Sequence, residues 1–184
     1  LKTGSAGQSF VGQTWSTQVN RSKVDQALAR IRSLDLTGAY IGHSGGKDSA
    51  AILHLADTAV PNHLFPIVHT PKPGETHSKT IEYLYRLGRP VVYLPKDSVD
   101  TFGLNLSVQI DGTRIDEHDR TDGRSTDFID NGVARPRTEL RSFVDRGLFG
   151  RSFLYPIYDW STDEVWEYLV ENRVRVSEEY ENRN

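Results

Sequence analysis

Ala39-Tyr40-Ile41-Gly42-His43-Ser44-Gly45-Gly46-Lys47-Asp48-Ser49 is the stretch on which the fold turns. Ala39 to Gly42 reads as a short strand running into a glycine loop. From Asp48 to Ala59 the apolar positions Ala51, Ile52, Leu55 and Ala59 fall on one face of a helix. Two glycines between strand and helix let the backbone approach a ligand and adopt angles that other residues avoid. The helix start offers unpaired N–H groups and the positive end of its dipole. Lys47 adds a point charge, and Ser44 and Ser49 add hydroxyls. Together these groups make a nest for a phosphate or pyrophosphate at the carboxyl end of a strand, where open parallel sheets place their ligands.

The same alternation continues on both sides. Leu1 to Asn20 has no periodicity and reads as a flexible arm, and residues 21–184 read as one nucleotide-binding domain. Ser22 is placed to cap a helix carrying Val24, Leu28, Ile31 and Leu34. Leu64 to His69 is a nearly all-apolar strand, as buried parallel strands are. A loop at Pro71–Gly74 precedes a helix that opens at Glu75 or Thr76 and runs through Leu87, and Pro90 to Leu94 is a third strand. Strands alternating with helices predict an α/β fold: a three-layer, doubly wound, mostly parallel sheet of Rossmann-like type. Leu106 to Ile110 and Ser152 to Tyr155 are further strand candidates. Asp116 to Arg137, crowded with charge, glycine and proline, predicts a mobile loop. Ser161 and Glu164 have the spacing of a capping box for a last helix with Val165, Trp166 and Leu169 inward.

Composition narrows the function classes. The chain has 184 residues, 22 basic and 25 acidic, for a net charge of -3, which argues against sequence-independent nucleic-acid coating. No apolar run reaches the roughly 18 residues of a membrane span, and no secretory signal is visible, so the expected location is the cytoplasm. There is no cysteine, which removes disulfides, thiolate metal sites, cysteine-ligated clusters and thiol catalysis from the chain as given. There is also no methionine and the chain starts at Leu1, so a trimmed chain, with residues missing, is expected.

Other phosphate loops fit the glycine stretch less well. The Walker pattern needs glycine where Ile41 stands and Ser or Thr where Asp48 stands, and no register of Gly42, Gly45 and Gly46 completes the dinucleotide fingerprint. A plain strand-to-helix turn does not need Ser-Gly-Gly-Lys together.

His43-Ser44-Gly45-Gly46-Lys47-Asp48-Ser49 resembles the PP-loop signature of the adenine nucleotide alpha hydrolases, which include ATP pyrophosphatases, phosphoadenylylsulfate (PAPS) reductases and the small subunit of bacterial ATP sulfurylase. Three further segments are similar to the PAPS reductase and sulfurylase branch. Thr70-Pro71-Lys72-Pro73-Gly74-Glu75-Thr76 resembles its Asp-Thr-Gly…Glu-Thr segment through Thr70, Glu75 and Thr76, with His69 replacing the family's aspartate. Gly112-Thr113-Arg114-Ile115-Asp116-Glu117-His118-Asp119-Arg120 resembles the stretch whose arginines meet the phosphate or sulfate end of the nucleotide; Arg114 is the first candidate and Arg120 the second. Tyr155 to Trp166 resembles the branch's Pro-x-x-x-Trp-x-x-x-Asp-Val-Trp segment and reads as structure.

The resemblance implies ATP or a related adenine nucleotide as cofactor, bound by Ser44, Gly45, Gly46, Lys47, Asp48, Ser49, Thr70, Glu75, Thr76 and Arg120. Without cysteine, the implied chemistry is adenylyl transfer at the alpha phosphate. Lys47 would hold the departing pyrophosphate, and Arg114 would orient the acceptor or steady the alpha phosphate. Magnesium is expected with the phosphates, with Asp48 a candidate ligand and equally a helix-start carboxylate. Two alternatives stand beside this: a sulfonucleotide reductase whose cysteine-bearing tail is missing, and a non-catalytic nucleotide-binding subunit. The expected partners are the nucleotide, an unknown acceptor, and either a partner subunit or a second copy.

Overall fold

In the computed structural model, residues 21–71, 79–94, 106–114, 128–130, 133–135, 143–146 and 151–178 are described, with the backbone alone at 128–130, 133–135, 143–146 and 151. Strand β1 (Ala39–Gly42) lies inside a six-stranded sheet. From β1 the chain passes through α2 (Lys47–Ala59) to β2 (Ile67–His69). It then passes through α3 (Lys79–Arg86) to β3 (Val91–Tyr93), and returns to the opposite flank of β1 as β4 (Val108–Ile110). Beyond β4 come β8 (Arg151–Leu154) and β7 (Phe143–Arg146), so the strand order is β3-β2-β1-β4-β8-β7. The first five are mutually parallel and β7 runs antiparallel to β8. Reversal of strand order at β1 defines a doubly wound sheet and puts its switch point between β1 and β4. Ile41 is in register with Ile67 on one side and Ile110 on the other.

Strand alternation sorts the apolar residues onto two faces. Ala39, Ile41, Ile67, Ile110 and Leu154 join the larger core, which takes in α1 (Arg21–Arg32) through Ala27 and Ile31, most of α2, Leu84 of α3, and Val165 and Leu169 of α4 (Thr162–Glu171). Tyr40, Val68 and Leu94 form a smaller cluster on the opposite face. The capping box of α4 is present as read: Ser161 Oγ accepts the Glu164 N–H at 3.1 Å, and Glu164 Oε2 accepts the Ser161 N–H at 2.7 Å. Lys23 and Arg30 of α1 tie down the approach to that cap through Glu164 and Asp159.

One correction concerns the region read as loop. Phe128–Asp130 (β5) and Val133–Arg135 (β6) pair antiparallel across a two-residue connection, inside the segment expected to be irregular. Strand β7 carried no apolar signal strong enough to be read. The second strand begins at Ile67 rather than Leu64, because Pro66 has no N–H to give to the ladder. The arm of residues 1–20 lies outside the described residues. Among the described residues no helix is long and apolar enough to cross a membrane.

Candidate functional site

The carboxyl ends of β1, β2 and β4 lie side by side, and the segments leaving them carry the candidate residues. The loop after β1 turns at Gly45, whose φ of +82° belongs to the left-handed region. A Cβ at Gly45 would sit 2.3 Å from Thr80 Cγ2, so both conformation and space require glycine there. Gly46 then takes the N-cap position of α2 with no side chain capping the helix. A helix start with no side-chain cap turns its N–H groups and the positive end of its dipole towards the loop before it. Ser44 is exposed at the mouth, while Lys47 and Ser49 are buried. Ser49 Oγ donates to the Gly46 carbonyl at 3.0 Å and lies 3.3 Å from Ser44 Oγ, which ties the two ends of the loop.

Lys47 and Asp48 form an ion pair at 3.0 Å. The other oxygen of Asp48 accepts Arg114 Nε at 2.7 Å. Arg114 is fully buried, and its remaining nitrogens donate to the Trp160 carbonyl at 3.1 Å and to Thr162 Oγ1 at 3.2 Å. Its position departs from the one the resemblance implies: the guanidinium is built into the core, joining the start of α2 to the start of α4. Gly112 makes this possible, because a Cβ there would lie 2.9 Å from the Asp48 carbonyl carbon. Beside it, Asp111 accepts Thr113 N–H, Thr113 Oγ1 and Gln109 Nε2, so its carboxylate organises its own turn.

These donor sets do not fit a magnesium ion held by the protein. Each oxygen of Asp48 already faces a cation, and among the described residues no cluster of three His, Cys, Asp or Glu is placed to hold a metal. Asp48, read both as a candidate magnesium ligand and as a helix-start carboxylate, pairs here with Lys47 and Arg114. Thr70 is exposed just past β2. Glu75, Thr76 and Arg120 lie outside the described residues.

The sequence reading missed the roles of two histidines. His43 Nδ1 accepts the Gly45 N–H at 3.0 Å, and His69 Nδ1 donates to the His43 carbonyl at 2.7 Å. Both are buried. Burial, with His69 close by, pushes the His43 pKa from its ordinary 6.5 down to about 3. Because the unfolded chain binds that proton and the folded one does not, stability falls as pH drops from 6.5 towards 3. The contribution from His43 amounts to a loss of roughly 2–3 kcal/mol by pH 4.5. Urea unfolding of the wild type and His43→Asn at pH 7.5, 6 and 4.5 checks this: the variant should show the shallower decline, and parallel profiles would contradict it.

Ser177 and Thr80 were also missed, since nothing in the sequence links them to the loop. Ser177 N–H reaches the Gly45 carbonyl at 3.4 Å and its side chain is fully buried beside Thr80. A cavity of about 510 Å³ lies between α2, α3 and residues 174–178, and none of the loop residues 43–49 lines it.

Fold and loop together define the class: a doubly wound α/β domain with an uncapped helix start at its topological switch point. Neither a protein-family model nor a curated protein sequence matches the chain. Among solved structures it is similar to PAPS reductase from Candida auris, crystallised as a phosphate complex. The TM-score is 0.56 and the identity 11%, over 95% of this chain and 92% of that one. It is also similar to the U34-tRNA thiolase NcsA from Methanococcus maripaludis with its [4Fe-4S] cluster. There the TM-score is 0.53 and the identity 11%, over 86% of this chain and 67% of that one. Both likenesses are likenesses of fold, and the doubly wound α/β sheet is the one the glycine loop led us to expect.

Proposed function

We propose that this protein binds ATP or a related adenine nucleotide with its pyrophosphate portion in the loop of residues 43–49, and transfers the adenylyl group. The observation that carries the reading is the uncapped start of α2 behind a left-handed Gly45, at the switch point of the sheet. Such a start supplies fixed N–H donors and a dipole to an anion without any rearrangement. Lys47 is the cation of the loop, and Ser44 and Ser49 are its hydroxyls. Thr70 faces solvent at the end of the adjoining strand, within the region an adenine nucleotide would extend across.

In the proposed reaction an anionic acceptor oxygen attacks the alpha phosphorus. The new O–P bond forms as the bond from the alpha phosphorus to the bridging oxygen breaks, and pyrophosphate leaves into the loop. Such a transfer depends on positioning and charge neutralisation rather than covalent catalysis. Asp48 and Arg114 act by position, fixing the first turn of α2 and the root of Lys47. Magnesium would arrive on the nucleotide's own phosphates, since both oxygens of Asp48 already face cations.

Two measurements test this. Lys47→Ala should weaken ATP binding roughly tenfold or more while leaving AMP within about twofold, because one charge-assisted contact to phosphate is lost. Titration calorimetry with both ligands decides it, and equal weakening would remove Lys47 from the pyrophosphate. Exchange of labelled pyrophosphate into ATP, surveyed with sulfate and carboxylate acceptors, should be detectable. Tight ATP binding with no exchange under any acceptor would leave nucleotide binding and remove adenylyl transfer.

A further inference from the structure

Gly45 is held from two sides. Its N–H points back to His43 Nδ1 and its carbonyl receives the Ser177 N–H. The residue that makes the first contact is itself fixed at its backbone, because His43 N–H donates to the Val68 carbonyl at 3.0 Å and its carbonyl accepts His69 Nδ1. His43 is thus clamped to the end of β2 and its ring is turned onto the loop it precedes.

The hydrogen bonds also settle the protons. A backbone N–H can only donate, so His43 Nδ1 presents its lone pair to Gly45 and a neutral ring carries its proton on Nε2. A carbonyl can only accept, so His69 carries its proton on Nδ1. With an imidazolium at position 43, two N–H donors would face each other at 3.0 Å. The deep burial of His43 and its lowered pKa keep the ring neutral at physiological pH.

We propose that His43 is a positioning residue that presets the loop for pyrophosphate: its neutral ring holds the Gly45 N–H, locks the left-handed turn, and aims the following N–H groups outward. The proposal rests on the reading of residues 43–49 as a pyrophosphate site. A loop held this way does not have to be ordered by the ligand, so the gain falls on ligands that reach the loop and not on those that stop at the alpha phosphate.

Two variants separate this role from plain packing. Asparagine at position 43 keeps an acceptor that can take the N–H two residues on, as in an Asx turn, whereas leucine of similar bulk cannot. In calorimetry His43→Leu should bind ATP about tenfold more weakly with AMP within about twofold, and His43→Asn should stay within about threefold of the wild type for both. Wild-type ATP affinity in His43→Leu, or an equal loss for ATP and AMP that asparagine does not rescue, would overturn the proposal. Amide exchange at Gly45 in the ligand-free protein gives an independent reading. It should speed up about tenfold or more in His43→Leu and stay slow in His43→Asn. If the wild type binds neither nucleotide, the pyrophosphate reading fails, while Gly45 exchange still decides whether His43 holds the turn. Should His43→Leu not fold, the imidazole nitrogen signals of the wild type decide: a proton on Nδ1 of His43 at neutral pH overturns the proposal.

Discussion

Arg114→Leu is expected to destabilise the protein by about 3–5 kcal/mol, the cost of removing one partner from a buried ion pair. Three contacts go at once: Nε to Asp48 at 2.7 Å, and the two terminal nitrogens to the Trp160 carbonyl and Thr162. The carboxylate of Asp48, only partly exposed, loses its guanidinium partner and keeps its pair with Lys47. For a domain of this size that loss corresponds to a melting temperature lower by roughly 10 °C. Arg114→Lys should behave more like leucine than like the wild type, because a single ammonium cannot serve three acceptors set around a planar fork. Adding Asp48→Asn to Arg114→Leu should cost about 1–3 kcal/mol less than the two single effects together, since the stranded charge disappears. Thermal and urea unfolding of the four proteins measures the cycle. An Arg114→Leu variant within 1 kcal/mol of the wild type would show that the guanidinium is not the tie between α2 and α4.

Gly45→Ala is the second large effect, and it acts on fold and function together. The left-handed φ of +82° costs alanine about 1–2 kcal/mol. The new methyl would lie 2.3 Å from Thr80 Cγ2 and 2.9 Å from Thr80 Oγ1, an overpacking worth a further 1–3 kcal/mol or so. The two causes can be separated. Thr80→Ala clears the space without changing the backbone, so the double variant should regain the overpacking part and keep the conformational part. ATP binding should remain impaired in both, because the N–H groups after Gly45 are re-aimed. Stability within 0.5 kcal/mol of the wild type for Gly45→Ala would mean that the turn is not held as described.

How much of this was legible in the sequence follows from range. Strand β1, helix α2 and the capping box at Ser161 depend on neighbours within a few residues, and all three were read from them. The parallel order was legible because alternating strands and helices leave few topologies. The hairpin of β5 and β6 also had a local signal, Asn131-Gly132 between two apolar pairs, but the surrounding charge outweighed it. Arg114 was read as a residue that grips a ligand's oxyanion, and in the structure its Nε grips the carboxylate of Asp48. That depends on Gly112 letting two distant segments close together, which sequence spacing does not encode. Ser177 and Thr80 meet Gly45 only through tertiary packing, so no reading along the chain could have joined them. The missing carboxylate at His69 was visible as a departure from the family pattern, while its bond to His43 became visible only in three dimensions.

The central claim is that residues 43–49 receive the pyrophosphate of an adenine nucleotide. A crystal structure with a non-hydrolysable ATP analogue tests it most directly. The account predicts the beta and gamma phosphates against the N–H groups at the start of α2, within hydrogen-bond distance of Lys47. A nucleotide whose phosphates lie elsewhere, for instance in the cavity between α2, α3 and residues 174–178, would contradict it.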